Sequence, residues 1–187
     1  MWKRVFDFVL ALILLVPSLI ILLAVAVAVK LTSPGGVFHY SKRVGRGKKT
    51  FRMIKVRSMR TGTPQVATHL MTEPDRHLTP IGSFLRVTSL DELPQIWNIL
   101  KGDMSFVGPR PALYNQHDLV AMREEKGIND IKPGVTGWAQ INGRDEIALP
   151  DKVALDEYYL KNMSLALDIK IIFLTLFKVL ASHGVKH

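Results

Sequence analysis

The longest apolar stretch of the chain lies close to its start. Across positions 5–29 every residue is apolar except Asp7, Pro17 and Ser18. A helix of this length rises 1.5 Å per residue and can cross a hydrocarbon core of about 30 Å. Pro17 has no amide hydrogen and its ring clashes with the preceding turn, so we expect a kink or break there, with Ser18 satisfying one freed backbone group. The pattern therefore predicts a membrane-anchoring helix over 1–32.

Positive charge on both sides of this helix leaves its topology open. Lys3 and Arg4 precede the apolar stretch, while Lys30 and a basic cluster over 42–60 follow it. The positive-inside rule therefore gives no direction. A helix that spans the bilayer and a re-entrant helix that dips in and returns both fit these residues. Asp7 could pair with Arg4 or lie among the headgroups.

The remaining residues, 33–187, predict one α+β domain that is mostly helical with a small β-hairpin. Alternating positions favour strands, and apolar positions at helical spacing favour helices. The predicted strands are 37–40 and 50–56, the predicted helices are 81–86, 93–100, 113–126, 152–160 and 165–180, and the predicted loops include 61–80 and 132–150. The last helix is apolar nearly all round, and two interpretations fit it equally: an interfacial amphipathic helix in the headgroup plane, or a core helix.

Charge and composition narrow the class of partner. The 187 residues carry a formal net charge of +9, are 48% apolar and include no cysteine. The missing cysteine excludes disulfides, thiolate metal sites and cysteine nucleophiles. The positive charge points to nucleic acid, acidic lipid or phosphorylated substrates. Between Asp7 and Glu73 there is no acidic residue, and a basic segment next to an apolar helix favours a membrane surface over nucleic acid.

The segment richest in candidate chemistry contains two adjacent acids, Asp91 and Glu92. Ser89 and Glu92 fit a capping box at a helix start, which is the structural interpretation. Pro94 argues against it, because its ring would clash inside a helix capped at Ser89. A helix beginning near Pro94 leaves both carboxylates outside, where they could serve a metal or a phosphate reaction.

Two later loops carry polar side chains suited to phosphate, nucleotide or sugar. Arg110 lies between two prolines, which fix the local backbone and direct a guanidinium suited to bidentate phosphate binding. The loop over 132–144 adds glycines with Gln140, Asn142 and Arg144. Each loop could equally be an ordinary surface turn.

Six segments of the chain, including those that hold the acidic pair and the two later loops, together resemble the bacterial sugar transferase family, the monotopic phosphoglycosyl transferases. The matching segments, in family order, are 55–59, 88–95, 100–105, 108–111, 132–138 and 140–144. The resemblance runs from the apolar helix to Lys178 and is closest to the small members of the family. The order Pro17 then Ser18 departs from the usual Ser-Pro, and Arg57 stands where small members often have lysine.

The resemblance implies an enzyme that transfers a phosphosugar from a UDP-sugar to polyprenol phosphate, with Mg²⁺, giving polyprenol-diphosphate-sugar and UMP. It implies a re-entrant helix and a catalytic domain on the cytoplasmic face of the bacterial inner membrane, acting at the first membrane step of glycoconjugate or exopolysaccharide assembly. Asp91 is implied as the nucleophile that forms a covalent aspartyl-phosphosugar and as a neighbour of Mg²⁺, with Glu92 as its partner. The implied substrate-binding residues are Lys55, Arg57, Arg86, Arg110 and Asp156, to which the loop composition adds Gln140, Asn142 and Arg144.

A different class of protein also fits part of the sequence. A membrane-anchored, non-catalytic protein that binds anionic lipid or nucleotide sugar explains the basic segment and the anchor, but not the acidic pair. A nucleic-acid binder is a third alternative, and we expect no nucleic-acid partner. The expected partners are UDP-sugar, polyprenol phosphate and membrane lipids. The sugar, the pathway and the oligomeric state, including a homodimer, are left open.

Overall fold

The computed structural model of the protein describes residues 2–64, 73–143 and 147–181. Its helices are α1 (Trp2–Thr32), α2 (Gly82–Val87), α3 (Gln95–Lys101), α4 (His117–Glu125), α5 (Trp138–Asn142), α6 (Leu149–Lys161) and α7 (Leu165–Ala181). Its strands are β1 (Phe38–Val44), β2 (Thr50–Val56), β3 (Ser105–Val107) and β4 (Gly134–Thr136). Short 3₁₀ turns lie at Arg46–Lys48, Pro74–His77, Leu90–Glu92 and Ile128–Asp130. The predicted class, α+β and mostly helical with little sheet, is confirmed.

The N-terminal helix α1 is helical throughout its 31 residues and carries Pro17 inside it. The described backbone thus does not leave the helix at Pro17 or Ser18. A bend at that point, which a helix tolerates because proline removes only one of its hydrogen bonds, stays a prediction. By length and composition α1 is able to cross a membrane.

One face of α1 packs against the rest of the domain near both of its ends. Ala11 belongs to a buried cluster with side chains of α3 and β2. Val25 and Val29 belong to a second cluster with Val56 of β2 and Leu85 of α2. Spacings of four and fourteen residues return to one face at 3.6 residues per turn. The remainder of the helix surface is largely exposed and apolar.

The acid in this helix is not where the sequence suggested. Asp7 is only 2% exposed, and its Oδ1 accepts hydrogen bonds from Ser105 Oγ (3.0 Å) and from the Phe106 amide (3.1 Å). Arg4 instead donates to the carbonyls of Ile99 (2.5 Å) and Leu100 (2.8 Å) at the end of α3. The expectation of an Arg4 pair or a place among headgroups was wrong, because β3 offers Asp7 two donors that need an acceptor.

Two small sheets set the positions of the site-bearing loops. Strands β1 and β2 form an antiparallel hairpin in which His39 pairs with Lys55, and Val44 with Thr50. β1 therefore extends four residues past the predicted strand, across the basic residues 42–43. Strands β3 and β4 pair in parallel, with Ser105 opposite Gly134. The sequence missed both, because each is only three residues long and lies among glycine and proline.

The later helices correct two further expectations and add to one that the sequence left open. α4 begins at His117 rather than at 113, since Leu113 instead forms a β-bridge with Arg43. The predicted loop over 132–150 contains β4 and α5. α7 buries Asp168 and Ile171 while exposing Phe173 and Phe177. It is therefore a core helix on one side only, and its other side is apolar and uncovered.

Candidate active site

The two adjacent acids lie in a tight turn between α2 and α3. Leu90–Glu92 is a 3₁₀ turn, and Ser89 before it is in the left-handed region (φ 57°) without a side-chain capping bond. α3 begins at Gln95, directly after Pro94. The capping-box interpretation was wrong, and the prediction that both carboxylates lie outside the helix is confirmed. A non-glycine residue in the left-handed region is uncommon and occurs preferentially at functional sites.

Basic side chains from separate elements surround this pair. Lys55 Nζ of β2 lies 2.6 Å from Glu92 Oε1 and 3.9 Å from Asp91 Oδ2. Arg110, in the loop after β3, donates to Glu92 Oε1 from both terminal nitrogens at 3.3 and 3.4 Å. Arg86 of α2 is close enough to lower the pKa of Asp91 by its charge. The structure thus brings Lys55, Arg86 and Arg110 together around the acids.

The two carboxyl groups have opposite pKa directions. Burial raises the pKa of Asp91, which is 6% exposed, and the charge of Glu92 adds to it, while Lys55, Arg86 and Arg110 act in the other direction. For Glu92, burial also acts to raise the pKa. The charges and hydrogen bonds of Lys55 and Arg110 outweigh it and lower the pKa to about 2. With a pKa that low, Glu92 is ionised at neutral pH.

Arg57 has contacts other than those expected. Its guanidinium donates to the Gly36 carbonyl (2.6 Å) and to the carbonyl (3.1 Å) and hydroxyl (2.9 Å) of Ser33. Arg57 thus holds the segment that follows α1, and these contacts do not place it with Lys55, Arg86 and Arg110 around the two acids.

Asp156 also differs from its expected role of lining the site. It lies on α6, is 1% exposed, and accepts two hydrogen bonds from the buried Arg123 of α4. Burial raises the pKa of Asp156, and the charge and hydrogen bonds of Arg123 oppose that shift. Sequence reasoning missed Arg123. Its position four residues after the buried Leu119, on the same helix face, was the available signal.

The three polar residues of the later loop have different surroundings. The side-chain amide of Gln140 in α5 is buried, and neither of its polar atoms has a hydrogen-bond partner in the described part of the chain. A buried amide without partners costs about 1–3 kcal/mol. Asn142 is exposed and donates to the Trp138 carbonyl (2.8 Å). Arg144 lies outside the described residues.

A metal ion would have few protein ligands here. Among the described residues, no group of three or more His, Asp or Glu side chains is arranged to hold one. Mg²⁺ commonly takes one or two carboxylates together with water and substrate phosphate. Asp91 is compatible with that sparse mode, in which one carboxylate is the protein's share of the ligands.

The sequence that forms this site belongs to a family whose model covers almost the whole chain. Residues 1–182 match the family model described as bacterial sugar transferase. The chain belongs to the bacterial sugar transferase family. The resemblance read from the six sequence segments is thereby confirmed.

Individual relatives of this bacterial sugar transferase have informative names. It is 44% identical over 186 residues to a UDP-glucose:undecaprenyl-phosphate glucose-1-phosphate transferase of Xanthomonas campestris pv. campestris, covering 95% of this chain and 38% of the relative. It is 41% identical over 184 residues to the uncharacterized sugar transferase EpsL of Bacillus subtilis, covering 98% and 90%. It is 42% identical over 183 residues to the Escherichia coli enzyme of the same name as the first, covering 94% and 39%. The chain thus spans less than two fifths of two of these relatives and most of the third.

Proposed function

We propose that this bacterial sugar transferase moves a phosphosugar from a UDP-sugar to a polyprenol phosphate, giving polyprenol-diphosphate-sugar and UMP. The observation that carries the proposal is the adjacent pair Asp91 and Glu92, set in a 3₁₀ turn after the left-handed Ser89 and faced by Lys55, Arg86 and Arg110. A diphosphate repels a carboxylate, so cations must offset that charge before attack. The names of the relatives, two of which transfer glucose 1-phosphate to undecaprenyl phosphate, support the same reaction.

Asp91 is the nucleophile in this proposal. Its carboxylate oxygen attacks the phosphorus that bears the sugar, the bond from that phosphorus to the bridging oxygen breaks, and UMP leaves with the electron pair. The aspartyl-phosphosugar is then attacked by an oxygen of the polyprenol phosphate, which restores the carboxylate. Splitting one transfer into two in this way is an established form of covalent catalysis.

Glu92 acts as the organiser of the cations rather than as a proton carrier. A carboxyl group with a pKa of about 2 is a weak base at neutral pH. Its Oε1 receives both Lys55 and Arg110, which holds the two cations beside Asp91. Arg110 is placed to bind a phosphate, to which its guanidinium would donate two hydrogen bonds in the bidentate manner typical of arginine.

Mg²⁺ is the expected cofactor, and Asp91 is the residue that would hold it. Bound there, the ion would neutralise phosphate charge as a Lewis acid. Gln140 is a further candidate for substrate contact, because its amide has no partner among the described residues. Asn142 and Arg144 stay predictions.

The same proposal includes a re-entrant α1 and a monotopic enzyme on the cytoplasmic face of the bacterial inner membrane. Asp7 and Ala11 near one end of α1 and Val29 near the other all pack on the same domain. A spanning helix would carry its ends to opposite sides of the bilayer. The uncovered apolar side of α7 supports contact of that helix with the membrane surface.

UMP release tests the reaction. The assay mixes detergent-purified enzyme, Mg²⁺, a panel of UDP-sugars and undecaprenyl phosphate. We expect Asp91→Asn and Glu92→Gln each to abolish release, and the matched Glu125→Gln, an exposed acid of α4, to keep it. Mass spectrometry of trapped enzyme should find a phosphosugar on Asp91. Wild-type rates in both site variants would show that these two carboxylates do not carry the reaction, and a wild-type protein that releases no UMP would favour the non-catalytic binder.

Cysteine labelling tests the topology. The chain has no cysteine, so Trp2→Cys and Thr32→Cys each provide a single label site at one end of α1. We expect a membrane-impermeant maleimide to label both positions from the cytoplasmic side only. Labelling of position 2 from the opposite side would show a spanning helix.

A further inference from the structure

Four consecutive carbonyl oxygens in the loop that carries Arg110 each accept a hydrogen bond from elsewhere in the chain. For residues 109 to 112 in order, the donors are the Gly134 amide (2.9 Å), Arg123 Nη1 (2.9 Å), Arg43 Nη1 (3.1 Å) and the Val44 amide (2.9 Å). Two donors are backbone groups of β4 and β1, and two are arginine side chains. We call residues 109–112 with these four donors the arginine-loop clamp.

The clamp compensates for the backbone amide donors that the loop lacks. Pro109 and Pro111 have no amide hydrogen and cannot donate to neighbouring backbone. The loop is therefore held mainly through its carbonyl groups. Because both carbonyls that flank Arg110 and its own carbonyl are fixed, the direction in which its side chain leaves the backbone is fixed as well. That side chain ends at Glu92, 3.3 Å away.

Arg123 depends on a buried partner to take part in the clamp. Its side chain is only 5% exposed, and a guanidinium in such a place needs an opposite charge. Asp156 Oδ2 supplies that charge, at 3.0 Å from Nε and 2.6 Å from Nη2. The remaining nitrogen, Nη1, is thereby directed at the Arg110 carbonyl. A chain of contacts thus runs from Asp156 through Arg123 to the loop.

Arg43 forms the second arm of the clamp from another direction. It lies on β1, where its Nε donates to Ser41 Oγ (2.9 Å) and its Nη1 reaches the Pro111 carbonyl. The two arginines come from opposite sides in sequence, 43 before the loop and 123 after it. Arg123 forms its ion pair with Asp156, on the side of the loop away from the two acids in sequence.

We infer that Arg123, Asp156 and Arg43 are positioning residues, which aim Arg110 at the phosphate through the loop backbone without touching the substrate. The inference rests on the proposed function, which identifies the ligand of Arg110 as a phosphate. It replaces the sequence-based role of Asp156 as a substrate-binding acid.

The test compares Asp156→Asn and Arg43→Gln with a matched control. Lys126 and Glu157 form an ion pair (3.4 Å) between the end of α4 and α6, next to the Arg123–Asp156 pair but without a contact to the loop. A displacement of about 1 Å at a reacting centre costs up to roughly 100-fold in rate. We expect each site variant to lower kcat/KM for UMP release by about 10–100-fold, mainly in kcat, and Lys126→Gln to stay within about twofold.

The same variants in an Arg110→Ala background separate positioning from general stability. With no guanidinium to aim, Asp156→Asn and Arg43→Gln should lower kcat/KM by less than about threefold further. An equal loss in both backgrounds would mean that the clamp only supports the fold, and would overturn the inference. Arg43→Gln removes the hydrogen bond to the Pro111 carbonyl, at a partly exposed position. It therefore still provides the test if Asp156→Asn does not fold.

Hydrogen exchange gives a readout that does not depend on turnover. The Val44 and Gly134 amides donate to the loop carbonyls, so Asp156→Asn should speed their exchange while Lys126→Gln should not. Unchanged exchange overturns the inference. Full UMP release by Arg110→Ala overturns it too, yet leaves the two-carboxylate reaction standing. A wild-type enzyme that releases no UMP from any UDP-sugar defeats the proposed function, and exchange then still tests the clamp.

Discussion

The carboxylate of Asp7 gives the sharpest test of how α1 is attached. Asp7→Ala removes the acceptor of two donors, the buried Ser105 hydroxyl and the partly buried Phe106 amide. Each buried donor left without a partner costs about 1–3 kcal/mol. The hydroxyl can rotate toward another acceptor, whereas the amide cannot move without β3. We therefore expect a loss of roughly 2–5 kcal/mol in the free energy of unfolding.

The measurement is thermal unfolding in detergent micelles, followed by circular dichroism. For a chain of this size 1 kcal/mol corresponds to about 2–4 °C, so Asp7→Ala should lower Tm by roughly 4–20 °C. Asp7→Asn keeps an acceptor oxygen and should lose less. Val9→Ala, which trims a half-exposed side chain of the same helix, is the control.

Hydrogen exchange at Phe106 separates this anchor from a general loss of helix. Its amide should exchange faster in Asp7→Ala than in Val9→Ala, because only the first variant removes its acceptor. If Asp7→Ala melts within about 2 °C of Val9→Ala and Phe106 exchanges equally in both, Asp7 does not fasten α1 to β3 and the reasoning fails.

Three further outcomes follow from the contacts. Arg57→Lys should lower the free energy of unfolding in urea by about 1–3 kcal/mol, because lysine lacks the guanidinium shape that reaches Ser33 and Gly36 together. The variant should keep kcat within about twofold, and a large loss of kcat would indicate that Arg57 binds substrate after all. Gly134→Ala should prevent folding or remove activity, because its Cβ would lie 2.1 Å from the Gly108 nitrogen, whereas Gly36→Ala has space and should behave as wild type. Glu92→Gln should be less stable than wild type at pH 7. Because the pKa of Glu92 is lowered to about 2, that gap should close as pH falls from 4.5 toward 2, and a constant gap would contradict the pairing.

The sequence was sufficient where local chemistry decides the structure. Pro94 placed Asp91 and Glu92 outside α3, and the proline pair around Arg110 indicated a fixed loop, as the structure bears out. Hairpin periodicity likewise gave β2 its bounds. Each of these inferences needed only neighbours within a few residues.

Long-range pairing decided what the sequence left undetermined. Lys55 and Arg57 have the two-residue spacing of one strand face, but β2 ends at Val56, and the two side chains have different partners. Asp7 meets its donors 98 and 99 residues away. β3 and β4 are too short to show a period and exist because they pair with each other. No local pattern predicts contacts of that kind.

The burial of one face of α1 has a consequence for how the protein is made. Ile96 and Ile99 of α3 share a buried cluster with Ala11, and Leu85 of α2 shares another with Val25 and Val29. Without α1, that part of the core would be exposed to solvent. Because synthesis starts at the N-terminus, α1 leaves the ribosome before the residues that pack on it. The domain therefore completes its core against a helix that was made first.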